Sequence, residues 1–138
     1  MTLALDTNVI VDLVRGREPL VRGRYVQALI RTEPVVISLI VLHELHLGCE
    51  LHHDPHAELT RVSATLADIP IEPLDQDDVI VAAQIRARLS RRGLPVGNFD
   101  SLIAGQALKR GWTLVTANTR EFGRIDGLNV IDWTTGPE

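Results

Sequence analysis

Three acids in this 138-residue chain sit where an ordinary surface carboxylate would not: Asp6, Glu44 and Asp100. Asp6 follows directly on the apolar run Leu3-Ala4-Leu5. Glu44 lies in a helix-patterned stretch whose neighbours three and four positions away are Ile40, Val41, Leu47 and Gly48. A carboxylate on such a face must be paired, metal-bound or desolvated at high cost. Asp100 opens a segment continuing through Leu102, Ile103, Ala104 and Ala107, and Asn118 follows the apolar run ending at Thr116. Each also has a plain structural role. Asp6 and Asp100 suit helix N-caps, Glu44 suits a buried pair with an arginine, and Thr116 and Asn118 suit a turn. Taken together, they put three carboxylates and one amide at one end of a sheet, and the three carboxylates repel one another unless a cation lies between them. Oxygen-only donors select hard cations such as Mg²⁺ or Mn²⁺. Such ions activate water and hold the non-bridging oxygens of phosphate esters.

The elements that must position these groups alternate between strand and helix. Thr2–Leu5 reads as a buried strand, broken at Asp6-Thr7-Asn8, three good N-cap types. A helix over Val9–Val14 ends near Arg15-Gly16, and a second runs from Pro19 to Arg31. Val35–Ser38 is a strand and Leu39–Leu51 a helix. Asp54-Pro55 opens a helix reaching about Asp68, and Ile69–Leu74, with Pro70 and Pro73, holds at most a short edge strand. Asp75 caps a long helix ending at Arg92-Gly93, and a sixth helix spans Asp100–Arg110. Strands follow at Trp112–Thr116 and Leu128–Asp132. The pattern is that of a single α/β domain over residues 1–138, with a mostly parallel sheet and helices on both faces. In such folds ligands bind beyond the carboxyl ends of the strands, where the acids fall.

A different chemistry is suggested by HELHLGCELHHDPH, residues 43–56, which holds all five histidines and the only cysteine. A zinc peptidase helix places its two histidines four apart. His43 and His46 are three apart. At about 100° per residue His43, His46 and Cys49 form one helical stripe, turned away from Glu44. They read as partly exposed helix residues, or as a structural zinc site with His52 or His53. The bulk composition sets further bounds. A net charge of −4 argues against a general nucleic-acid coat, and 4% aromatic residues argue against an extended stacking surface. The lone Cys49 excludes an internal disulfide. The first residues carry no basic segment of a secretory signal, and no apolar run reaches membrane-spanning length, so the expected location is the cytoplasm. Of the 14 basic residues 13 are arginine. Arg15, Arg17, Arg86, Arg88, Arg91 and Arg92 are candidates for guiding a phosphate backbone, with a solvated helix face as the plainer role.

The residues that carry the acids also carry a family resemblance. LALDTNVIVDL, ISLIVLHELHLG and LPVGNFDSLIAGQALKRGWTLVTANTREFGRIDGLNVIDW together resemble the PIN-domain ribonucleases, specifically the toxins of VapBC-type toxin–antitoxin pairs, in order and spacing over nearly the whole chain. The resemblance implies a three-layer α/β/α domain with a central sheet of four to five strands. It implies Asp6, Glu44 and Asp100 as the acidic metal-site residues, Glu44 acting directly or through water, with Mg²⁺ or Mn²⁺ as cofactor. The family's fourth position is Asn118 here, where some members have Asp. Thr7, Asn8, Ser38 and Thr116 match small polar site-lining positions. Implied partners are an RNA substrate, a small VapB-like antitoxin that reaches the acid pocket with a basic side chain, and a second copy of the chain. The implied activity is metal-dependent endoribonuclease cleavage. The alternative is a PIN scaffold that binds RNA or a protein without cutting.

Overall fold

The structure is a computed structural model and describes residues 1–135. Five strands form one sheet: β1 (Leu3–Leu5), β2 (Val35–Ser38), β3 (Ile71–Glu72), β4 (Thr113–Val115) and β5 (Asn129–Ile131). Their order is β3-β2-β1-β4-β5 and every pairing is parallel. Strands β1, β2 and β4 are buried along their whole length. That burial explains their unbroken apolar character, since a parallel sheet is covered on both faces. Among the described residues seven helices surround the sheet: α1 (Thr7–Arg15), α2 (Pro19–Ile30), α3 (Leu39–Glu50), α4 (Pro55–Leu66), α5 (Gln76–Arg91), α6 (Asn98–Arg110) and α7 (Thr119–Phe122). The α/β architecture with a mostly parallel sheet of four to five strands is therefore as expected, with five strands and no antiparallel pair among the described residues.

The chain runs from β1 outward through β2 to the β3 edge. It then returns to the other side of β1 to lay down β4 and β5. The sheet thus has a switch point between β1 and β4, the place where open α/β sheets present a crevice beyond their carboxyl ends. The register Leu5↔Val115 brings the ends of β1 and β4 level, so Asp6 and Thr116 leave the sheet side by side. The Asp6 N–H donates to the Val115 carbonyl at 2.9 Å and carries the ladder one residue further.

Local sequence sets most helix ends. Asp6, Ser38 and Asp54 accept backbone N–H groups at the starts of α1, α3 and α4. Asp75 and Asp78 form a reciprocal capping box on α5. Gly16 and Gly111 end α1 and α6 with φ of 64° and 69°, a left-handed turn that glycine adopts without a Cβ penalty. Two expectations are corrected. Helix α6 begins at Asn98, with Gly97 as its cap, so Asp100 is a first-turn residue and not the N-cap. The four-residue α7 was not anticipated, because so short an element has no periodicity to read.

Helices α5 and α6 pack closely against each other. A Cβ on Gly105 of α6 would stand 2.7 Å from the backbone and Cβ of Ala82 on α5, so only glycine permits this approach. At the far end of α6, Arg110 closes on Asp78, which is fully buried, with Nη2–Oδ2 at 2.7 Å. Arg110 also donates to the Pro73 carbonyl and lies over the Trp112 ring. This charged lock joins α5, α6 and the segment after β3, and it holds the helix that carries Asp100.

Candidate active site at the switch point of the sheet

Asp6 is 6% exposed and every partner it has comes from an adjoining chain end. Its Oδ1 accepts the Thr7 N–H at 2.8 Å, and its Oδ2 accepts the Thr116 hydroxyl at 2.8 Å and the Asn8 amide at 3.4 Å. Burial raises its pKa above the usual carboxylate value, with the Glu121 charge adding to the rise, while the Thr116 and Thr7 bonds oppose it. The Asn8 carbonyl oxygen in turn accepts the Ala117 N–H at 3.4 Å. Thr7, Asn8 and Thr116 thus all serve to hold Asp6 and the two strand ends.

Glu44 is half-buried on α3, and its Oε1 accepts the Thr7 hydroxyl at 2.8 Å. The face expected around it differs from the observed one. The core stripe of α3 is Val41, Leu45 and Cys49, while Leu47 and Leu51 are 48% and 78% exposed. Glu44 stands beside the core stripe, which is why partial burial and one hydroxyl satisfy it. Ser38 is buried and spends its hydroxyl oxygen on the Ile40 N–H as the cap of α3.

Asp100, half-buried in the first turn of α6, has its pKa pushed up to about 7. The causes are burial first, then the charge of Glu121 and a hydrogen bond shared with it, then the charges of Asp6 and Glu44. Glu121 itself lies in α7. Burial pushes it up, but the Gly97 N–H, the Asn118 amide, the Asp100 carboxyl and the Arg124 charge outweigh that and hold it below its usual value. Its Oε1 accepts Gly97 N–H at 3.1 Å and its Oε2 accepts Asn118 Nδ2 at 2.7 Å. The direction of the two shifts puts the shared proton on Asp100.

The structure therefore brings Asp6, Glu44 and Asp100 into one electrostatic cluster and adds a fourth carboxylate, Glu121, that the sequence reading did not single out. The signal was present in Asn118-Thr119-Arg120-Glu121: three positions separate amide and acid, the spacing of one helical turn. Asn118 holds Glu121, and its own N–H donates to Thr116 Oγ1 at 3.0 Å.

Among the described residues no ion pair takes up any of the four acids, which excludes the arginine pairing considered for Glu44. Also among the described residues, no three His, Cys, Asp or Glu side chains already converge as metal ligands. The charges of Glu121, Asp6 and Glu44 all bear on Asp100, that of Glu121 bears on Asp6, and the four acids offer only oxygen donors. Uncompensated charge and an oxygen-only donor set fit a hard divalent cation whose remaining ligands are water.

The histidine stretch is dispersed by the fold. Cys49 is 3% exposed within the core, a correction to the expectation of a partly exposed thiol, and burial raises its pKa. His43 meets Phe99, and His46 is exposed. His52 pairs with Glu58 at 3.0 Å and stacks on His53. Arg15, Arg17, Arg86, Arg88, Arg91 and Arg92 are all exposed.

Comparison with known proteins points one way. A family model described as PIN domain matches residues 3–128. The tRNA(fMet)-specific endonuclease VapC of Shigella flexneri is 37% identical over 130 residues, 94% of this chain and 96% of that protein. The structure of VapBC2 from Rickettsia felis bound to a promoter DNA fragment superposes with a TM-score of 0.89 at 28% identity, covering 96% of this chain and 99% of that one. DNA-bound VapBC from Salmonella typhimurium gives a TM-score of 0.87 at 35% identity, covering 96% and 98%.

Proposed function

The chain belongs to the PIN-domain family, and from that premise we propose that it is the toxin of a VapBC-type toxin–antitoxin pair, a divalent-metal-dependent endoribonuclease held inactive by a cognate antitoxin. The observation that carries the reading is the gathering of Asp6, Glu44, Asp100 and Glu121 at the switch point with no ion pair to any of them among the described residues. Asp6 and Asp100 are the groups that would hold Mg²⁺ or Mn²⁺, Glu44 directly or through water. When bound, the ion supplies charge neutralisation at the phosphate and lowers the pKa of water.

The chain's own groups carry the rest. Thr116, Thr7 and Asn8 fix the Asp6 carboxylate at the end of β1. Thr7 also orients Glu44, which accepts the proton of the attacking water. The water oxygen adds to phosphorus as its proton passes to Glu44, the bridging P–O bond breaks, and the leaving oxygen takes a proton from solvent while Glu44 releases its own. Glu121, held by Asn118 and the Gly97 N–H, positions Asp100. Thr7, Asn8 and Thr116 line the site. Ser38 lines it as the cap that starts the Glu44 helix. Asn118 acts by fixing Glu121, and in so doing orders water or phosphate near the acids.

The binding-only alternative drew its support from Asn118 in place of an acid. Glu121, bonded to that amide, keeps a carboxylate at the position and favours the cleaving reading. The same proposal includes one domain over residues 1–138, a homodimer that assembles with the antitoxin, and a cytoplasmic site of action. No helix among the described residues is long and apolar enough to cross a membrane.

The test uses purified antitoxin-free chain with total cellular RNA, and with initiator tRNA because of the Shigella relative, in Mg²⁺ or Mn²⁺. Discrete cleavage that disappears in Asp6→Asn and Asp100→Asn is expected. Equal cleavage by the wild type and both variants would sink the assignment.

A further inference from the structure

Phe99 stands immediately before Asp100 on the first turn of α6, and His43 immediately before Glu44 on α3. Their rings meet edge to face, with centroids 5.3 Å apart and planes at 65°. The two helices that supply Glu44 and Asp100 are thus bridged by a pair of rings, each one residue along the chain from an acid of the cluster. Phe99 is 44% exposed, whereas the chain's other phenylalanine, Phe122, is fully buried. Folding alone gives no return for leaving a phenylalanine ring half in water, because burial of that surface is favourable. An edge-to-face contact steadies the Phe99 ring and still leaves aromatic surface open to solvent.

We infer that Phe99, steadied by His43, is a stacking platform for a nucleobase of the RNA beside the cleaved phosphate. The inference rests on the ribonuclease reading above. It follows from what the site lacks. The chain carries a net charge of −4, and its acids repel the phosphate backbone. Affinity through basic contacts is therefore weak near the acids, and an uncharged contact is needed to seat the nucleotide. Every base has a π face, so an aromatic ring accepts any base of an unpaired strand. Phe99 is the residue next to Asp100 in the first turn of α6, so the base we assign to its ring is one flanking a phosphate held at Asp100. A segment of the antitoxin is the other macromolecule that could cover these rings, and the test separates the two.

The measurement is steady-state cleavage by the wild type, Phe99→Leu and Phe99→Trp, beside fluorescence of single-stranded RNA carrying 2-aminopurine at each position in turn. Binding is read in the Asp6→Asn background, where cleavage does not intervene. Phe99→Leu is expected to raise KM roughly 5- to 100-fold, with kcat within about twofold and Tm close to the wild type. Phe99→Trp restores KM. Quenching of one or two 2-aminopurine positions is expected with Asp6→Asn, and lost in Asp6→Asn/Phe99→Leu. An unchanged KM in Phe99→Leu, or quenching that survives the double variant, overturns the platform. So does a Phe99→Leu chain that loses antitoxin affinity but binds RNA normally, which assigns the rings to the antitoxin. Quenching without any wild-type cleavage would instead remove the ribonuclease reading and keep the platform as an RNA contact.

Discussion

Asp100 and Glu121 share a hydrogen bond in the middle of the acid cluster, and their pKa values are pushed in opposite directions. The asymmetry has a local cause. Glu121 accepts the Gly97 N–H and the Asn118 amide, both of which favour its charged form, whereas burial and three neighbouring carboxylates act on Asp100. Glu121 is therefore the fixed anion of the pair, and Asp100 is the group that gains or loses a proton. Replacing Glu121 by Gln removes one negative charge and leaves an amide near Gly97. We expect Glu121→Gln to lower kcat about 10- to 100-fold, as loss of a group that positions another. It should also shift the acidic limb of the pH–kcat profile to lower pH, because the charge that raises Asp100 is gone. A profile identical in position to the wild type would show that Glu121 acts only on folding. Thr7 offers a second residue-scale check, since its hydroxyl is the one side-chain donor to Glu44 among the described residues. Thr7→Val should reduce kcat with little change in Tm, whereas equal activity at equal metal would mean that Glu44 needs no orientation.

The elements explain why some of this was legible in sequence and some was not. Asp6 could be read because β1 is a fully apolar strand that stops at a capping residue, so the position of the acid at a strand end follows from pattern alone. Asp100 could be read as lying at the start of a helix, although the helix begins two residues earlier and its Gly97 cap offers no side chain to mark it. Glu44 was found for a partly mistaken reason, since half of the apolar neighbours assigned to its face are exposed on a surface of α3. Glu121 was missed because α7 is four residues long and its acid matters only through Asn118 and Gly97, contacts that span the gap between α6 and α7. The α5–α6 pair is likewise invisible in pattern but decisive for the site, as it sets the height of Asp100. Gly105→Ala must push α6 off Ala82. The expected cost is about 1–3 kcal/mol, read as a lower urea midpoint, with kcat falling as Asp100 is displaced. Asp78→Ala removes the buried partner of Arg110, leaving it Glu72 at 3.5 Å and Asp75 at 3.8 Å, and breaks the capping box, at about 3 kcal/mol. Wild-type stability in either variant would contradict the packing described.

At the scale of the whole molecule the acid cluster is a standing cost to the folded state without a cation. The ordinary pKa of Asp100 is 3.8, and in the fold it is raised to about 7. Between these values the folded chain holds a proton that the unfolded chain has released. The contribution of this group to stability is then fully present below 3.8 and is lost as pH rises through about 7. Asp6 is raised by burial and has the same sign. Glu121 and Asp78 are lowered, so they act in the opposite sense, but only in the acid range below their ordinary values of 4.5 and 3.8. Above about pH 5, then, the metal-free chain should lose stability as pH rises. A bound divalent cation competes with the Asp100 proton and offsets the repulsion, so its stabilising effect should grow over the same window. Thermal melts in EDTA should show Tm falling from pH 5.5 to pH 8, and melts in Mn²⁺ should show a gain over EDTA that widens toward pH 8. In Asp100→Asn, with no proton to lose and one charge fewer, the EDTA curve should flatten and the Mn²⁺ gain should shrink at every pH. If the metal-free wild type instead grew more stable toward pH 8, the cluster would not carry the uncompensated charge that this account of metal binding requires. A Mn²⁺ gain equal in Asp100→Asn and the wild type would place the cation elsewhere on the molecule.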